Sequence, residues 1–215
     1  MRCTTAFSAS AALLAGAWAA LPARAAEEDF QLWISESVST PLSPDTQGTL
    51  DLSQRVRENG DQLLARGTAE LRLSDNAVAG GGVAYVSTIG AADEFRPHQQ
   101  LTLTYGPLTL RTRVEQRFFE HADRMELRLR QRVGLTIPAS RNLRAGLAGE
   151  LLYAAQSQDS AQCPHVDQWR ANATVTRTLG SQLEGTIGYL AILSPREGRP
   201  DRLSHVAQVS LTLRR

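Results

Sequence analysis

Cysteine is nearly missing from this chain of 215 residues, which has only Cys3 and Cys163, and that excludes a disulfide-built scaffold. Long apolar runs are missing too. No stretch of about 20 apolar residues follows the first 25, which excludes a helical membrane protein. Aromatic residues are 6% of the chain, too few to fill a large soluble core, and the formal net charge of +1 provides no field to draw nucleic acid. Histidine is limited to His98, His121, His165 and His205. None has a serine two residues on, the spacing that would hold a nucleophile and its base on one face of a strand. Ser204 and His205 are adjacent and so face opposite ways. No catalytic residue is expected, and a lipid-modifying membrane enzyme is the minor alternative. Cys163, His165 and Asp167 lack a fourth ligand and a zinc-type spacing, so an ordinary loop is preferred to a metal site and no cofactor is expected.

The start reads as an export signal. Met1-Arg2 is positive, residues 6–21 are apolar and Ala-rich, and Ala23-Arg24-Ala25 is a small-x-small site. A signal peptide over residues 1–25 is expected, rather than an anchor, for which the run is too short. Leu14-Ala15-Gly16-Ala17 has no cysteine to acylate, so no lipid anchor is expected. Residues 26–215 then make one domain.

What the chain does have is alternation of apolar and polar residues. It is clearest over residues 108–136, where Leu108, Leu110, Val114 and Phe118 alternate with Arg111, Arg113, Glu115 and Arg117. After residues 120–123 it resumes, with Met125, Leu127, Leu129 and Val133 against Arg124, Glu126, Arg128, Arg130 and Arg132. Two adjacent period-two runs read as a β-hairpin. Its register follows from charge. Setting Arg117 opposite Glu126 and Glu115 opposite Arg128 pairs unlike charges, whereas a two-residue slip opposes Glu115 to Glu126.

Similar runs recur along the chain and give about eleven strand candidates. Gly80, Gly81 and Gly82 mark a bend, and residues 88–97, 156–166 and 194–201 read as longer loops. Connections alternate short and long, as in outer-membrane barrels. The fold expected is an all-β, antiparallel up-and-down transmembrane β-barrel of about ten to twelve strands. Single-chain bacterial barrels have even strand numbers, so an eleventh candidate implies a missed or surplus strand, or a first segment that does not pair regularly. Trp33, Tyr85, Tyr105, Tyr153, Trp169 and Tyr189 are the candidates for sparse interfacial girdles.

The polar face of the central hairpin is almost wholly ionic. Arg111, Arg113, Glu115, Arg117, Arg124, Glu126, Arg128, Arg130 and Arg132 are expected to line the lumen. Two roles stay open: an anion-favouring wall, since arginine rings suit anions in pores, or a space-filling network paired with Glu70, Glu115, Glu126, Glu150 and Glu184. A soluble periplasmic barrel with an apolar ligand inside would require the reverse orientation, apolar face inward.

Several segments together resemble a bacterial family catalogued as domain of unknown function 2490, predicted outer-membrane barrels. They are Asp29-Phe30-Gln31-Leu32-Trp33, Leu71-Arg72-Leu73-Ser74-Asp75-Asn76, Arg113-Val114-Glu115-Gln116-Arg117-Phe118, Leu127-Arg128-Leu129-Arg130 and Asp201-Arg202-Leu203-Ser204-His205. The resemblance implies a location and a fold but no reaction. The partners expected are outer-membrane lipid and the barrel assembly machinery during insertion, with a small anionic solute suggested by the arginine stripe and no nucleic acid. Substrates of that machinery commonly finish on an aromatic residue. This sequence finishes Leu211-Thr212-Leu213-Arg214-Arg215, a departure that bears on assembly efficiency.

Overall fold

The computed structural model describes residues 26–215; the expected signal peptide, residues 1–25, lies outside the described residues. Every regular element described is a strand: β1 (Glu27–Ser43), β2 (Thr46–Val56), β3 (Gln62–Ser74), β4 (Ala77–Thr88), β5 (Glu94–Tyr105), β6 (Leu108–Phe119), β7 (Glu126–Ser140), β8 (Leu143–Gln156), β9 (His165–Thr178), β10 (Leu183–Ser194) and β11 (Arg202–Arg214). They join in sequence order into one closed barrel.

The strand count of eleven stands, and closure resolves the parity conflict. In an up-and-down barrel with an odd number of strands the first and last run the same way. Here β1 and β11 pair in parallel, from Glu27↔Arg202 to Ser39↔Arg214, while every other neighbouring pair is antiparallel. The first segment therefore pairs along most of its length, and the even-number rule does not hold for this chain. Closure leaves no unpaired edge.

Connections sort by end. At one end β1–β2, β3–β4, β5–β6 and β7–β8 are joined by two-residue turns, such as Gly106-Pro107 with Gly106 at φ 57°. Loops of five to eight residues lie at the other end. In the central hairpin, Arg117 opposes Glu126 and Glu115 opposes Arg128, the register chosen from charge. One boundary differs from expectation. Residues 94–97 are strand rather than loop, because Pro97 sits opposite Val83 on β4 while the β6 pairing passes over Arg96 and Pro97 and resumes at His98↔Glu115. A residue without an N–H fits a strand only where the ladder is interrupted.

Alternation sends the apolar set outward. Leu50, Leu71, Val83, Leu101, Val133, Leu147, Ile187 and Leu211 are all exposed, whereas Glu94, Arg113, Glu115 and Glu150 are buried. That orientation overturns the soluble barrel with an apolar interior. The aromatic belt is uneven: Phe30, Tyr85, Phe95, Phe118 and Trp169 stand near the loop ends of their strands, with the Phe95 and Phe118 ring centroids 6.5 Å apart, while Tyr105 is exposed at the turn end. On that rim the Tyr85 hydroxyl donates to Asp93, which holds this loop carboxyl below the usual carboxylate range. Trp33, expected in a girdle, points into the lumen instead, under the Arg55 guanidinium at 4.0 Å.

The lumen has two unlike halves. Near the loop end, Leu64, Val86, Leu152, Ala154, Leu190, Ile192 and Val206 all point inward and are at most 6% exposed, with Trp33 packed against the last three of these. Leu190, Ile192 and Val206 pack as one cluster, and with Glu94, Arg117 and Glu126, which share this end, these side chains plug the loop side of the barrel. Towards the turn end the wall is Ser37, Ser53, Thr174, Thr186, Ser210 and Thr212, enclosing a polar space of about 330 Å³.

At the glycine-rich bend, a Cβ on Gly82 would lie 2.1 Å from the Gly67 carbonyl oxygen and 2.9 Å from the Thr68 Cα, so β3 and β4 approach too closely there for any side chain. Gly82→Ala is expected to destabilise the barrel by about 1–3 kcal/mol, read as a lower urea midpoint in detergent. Gly149→Ala, which meets nothing within 4 Å, leaves the midpoint in place.

Candidate functional site

Between plug and vestibule lies a cavity of about 250 Å³, lined by nine arginines against two glutamates, with Trp33 and His98. The chain contains no lysine at all. Every fixed cation is a guanidinium, able to grip carboxylates through two N–H groups at once.

The carboxylates are shared. Glu94 takes two hydrogen bonds from Arg96 (2.6 and 2.8 Å) and two from Arg117 (2.6 and 2.9 Å). Arg117 also donates to Glu126 at 2.5 Å. Arg128 donates to Glu126 at 3.0 Å and lies 2.9 Å from Asp167, an ion pair by distance whose angle does not make a hydrogen bond. Arg130 bridges Glu115 and Glu150, each at 2.8 Å. Glu150 on β8 gathers Arg111, Arg130 and Arg170 from β6, β7 and β9, the last at 3.7 Å. Arg113 leans on Gln100 through two bonds and reaches Glu115 only at 3.5 Å.

Two arginines stand apart. Arg55 donates to the Gln62 amide and covers Trp33, and its Nε has no partner. Arg132 lines both the cavity and the turn-side space beside Glu70 and Gln100. Among the described residues neither has a carboxylate within 4.0 Å, whereas Arg66 pairs with Asp51 at 3.0 Å. Two more polar atoms lack partners, Nε of Arg128 and Nε2 of His98, on residues 8% and 2% exposed. Buried polar atoms without partners are uncommon in native structures. With Arg55 Nε and Glu115 Oε2, these line the one cavity with surplus positive charge.

Of the nine residues expected to line the lumen, the structure brings together Arg111, Arg113, Glu115, Arg117, Glu126, Arg128, Arg130 and Arg132. Arg124 is a correction. It lies in the β6–β7 loop and donates to the carbonyls of Ser157 and Asp159, tying two loops together. The alternation points to the cause, since β7 begins at Glu126 and the loop extends one step past Arg124. Of the proposed counter-charges, Glu115, Glu126 and Glu150 serve the network, while Glu184 pairs with Arg144 and Arg214 near the turns and Glu70 accepts from Gln100.

Sequence reasoning missed Glu94, Arg96 and His98, hidden by Pro97 in an apparent loop, and the partners Arg55, Arg66, Asp167 and Arg170 on other strands. It also missed the plug. The signal was present as doubled apolar residues, Leu63-Leu64, Leu151-Leu152 and Ile192-Leu193, where alternation lapses because an apolar side chain stands on each face of the sheet. Ser204 and His205 do face opposite ways: Ser204 donates to Asp29, and His205 stacks on Phe30 at 5.2 Å. His165 bonds the Cys163 carbonyl while Asp167 faces Arg128.

Removing one partner from a buried ionic cluster leaves the others stranded. Glu94→Gln is expected to cost about 3–5 kcal/mol, seen as a lower urea midpoint in micelles. Glu120→Gln on the exposed loop should stay within about 0.5 kcal/mol of the parent.

No curated protein matches the chain. The family described as "Protein of unknown function (DUF2490)" matches residues 30–203, from the fourth residue of β1 to the second of β11. That span covers β2 to β10 whole and most of the plug and cavity lining, leaving out most of β11 with Val206 and Gln208, and the chain belongs to this family.

Proposed function

We propose that the protein is an outer-membrane barrel whose lumen is a blind, arginine-lined cup that takes up small anions from the turn side. The membrane part of this reading is supported by the outward apolar belt, strands of 11 residues or more, and short turns opposite long loops. In this setting outer-membrane lipid surrounds the belt, the assembly machinery inserts the barrel, and the turns face the periplasm.

The observation that carries the cup is the charge imbalance around a cavity with one dry end. Nine arginines share the cavity wall with two glutamates, and carboxylates set further out, such as Glu94 and Asp51, satisfy only part of the excess. Arg55 and Arg132 keep free donors. Uncompensated charge in a confined lumen is costly, and a bound anion offsets it. Access is from the hydroxyl-lined turn end, because the plug side chains across the loop end are almost without solvent contact. The passage alternative would require that plug to move.

Two measurements test the reading. The unfolding midpoint of detergent-solubilised protein should rise in inorganic phosphate relative to sodium chloride of equal ionic strength, by about 1.4 kcal/mol at a tenfold excess over Kd. Arg55→Gln combined with Arg132→Gln should remove the difference; coincident midpoints for the parent protein would sink the anion reading. In planar bilayers the parent should show no steady conductance, with anion-preferring openings appearing when Leu152 and Leu190 are both changed to Ala. A steady parent current would replace the blind cup with an open pore.

A further inference from the structure

The outer face carries a polar patch in an apolar belt. On β5, β6 and β7 the outward positions include Gln99, Thr112, Gln116 and Gln131. Gln99 is sixth of twelve residues in β5, Thr112 fifth of twelve in β6 and Gln131 sixth of fifteen in β7. These are mid-strand places, far from either rim. At the corresponding places β8, β9 and β10 present Leu147, Gly149, Ala171, Ala173, Ile187 and Tyr189.

The patch only partly satisfies itself. The Gln116 amide donates to the Gln99 carbonyl oxygen at 3.0 Å, and the Thr112 hydroxyl donates to the Gln131 carbonyl oxygen at 2.6 Å. The amide nitrogens of Gln99 and Gln131 find no acceptor among the described residues, and Oε1 of Gln116 is buried without a partner. A primary amide nitrogen carries two N–H donors. In hydrocarbon there is no water to meet them, and each unsatisfied group costs several kcal/mol. The N–H groups of the exposed Gln99 and Gln131, and the second lone pair on each of their carbonyl oxygens, are thus left over on one flank, within reach of the same groups on an identical surface.

We infer that this flank is the interface of a homodimer, in which the glutamines of β5–β7 bond across to a second copy. A two-fold contact is self-complementary, so the leftover N–H groups of Gln99 and Gln131 on one protomer can meet the exposed carbonyl oxygens of the same residues on the other. Val114 and Leu129, outward neighbours of the glutamines, supply the apolar contact around them. The inference rests on the membrane reading, since in water the same amides would be solvated.

The test is photo-cross-linking in intact outer membranes, with a benzophenone amino acid at Val114 or, on another flank, at Val175. Val114 is expected to give a product of twice the monomer mass and Val175 none. Combining Gln99→Leu, Gln116→Leu and Gln131→Leu should abolish the product while the barrel keeps its heat-dependent gel mobility, which shows that it still folds. No dimer from Val114, equal products from both flanks, or a product that survives the triple substitution would overturn the inference. Recovery of the protein in the soluble periplasm would overturn the membrane reading itself, a separate failure.

Discussion

Everything inside this barrel depends on guanidinium groups reaching carboxylates on other strands. Glu150 holds arginines from the strands on both sides and from one beyond, and Glu94 holds Arg96 and Arg117 with four short bonds. A closed sheet of this size has little free interior, so every inward charge must meet another or remain a liability. Arginine suits the task because its planar, always-charged fork can serve two acceptors at once. A lysine ammonium would offer a point charge without that geometry, and the chain uses none.

The same constraint explains the division of the lumen. Ionic pairs run from mid-height up to the loop end on β5–β7, where Glu94, Arg117 and Glu126 lie, and apolar side chains from β3, β4, β8, β10 and β11 occupy the rest of that end. Below them serine and threonine leave room for water. The surplus of guanidinium over carboxylate lines the cavity between packed and open regions. On the proposed reading, structural pairing and anion attraction are not competing roles of the arginines. Arg117 and Arg130 are held by two carboxylates each, whereas Arg55 and Arg132 face the cavity with none.

The odd strand number is equally physical. An antiparallel closure would place the start of β1 beside the end of β11; with eleven strands the two starts come together instead, and parallel pairing from Glu27 to Ser39 completes the ladder. On the outward face glutamines interrupt the apolar belt on β5–β7, and Glu36 on β1 and Gln54 on β2 are further polar residues there.

Much of this was legible in the chain. The period of two assigned faces, and the Arg117–Glu126 and Glu115–Arg128 pairs set the central hairpin's register, because both properties depend only on neighbours along one strand and across one turn. Arg124 was misplaced because a loop one step longer than the alternation suggests removes its face. Glu94 and Arg96 were lost behind Pro97, whose missing N–H is harmless only when the pairing beside it is interrupted.

By itself the sequence determined that strands alternate, that charge goes to one face and apolar bulk to the other, and that short turns share one end. Those are local consequences of backbone geometry and burial. Tertiary structure alone decided that eleven strands close through a parallel pair, that Arg170 and Arg111 converge on Glu150, that Trp33 packs on the cluster of Leu190, Ile192 and Val206 inside the barrel, and that Arg55 and Arg132 are left over. Each of these depends on how far strands stagger around the closed wall, and no stretch of chain contains that quantity until the last strand has met the first.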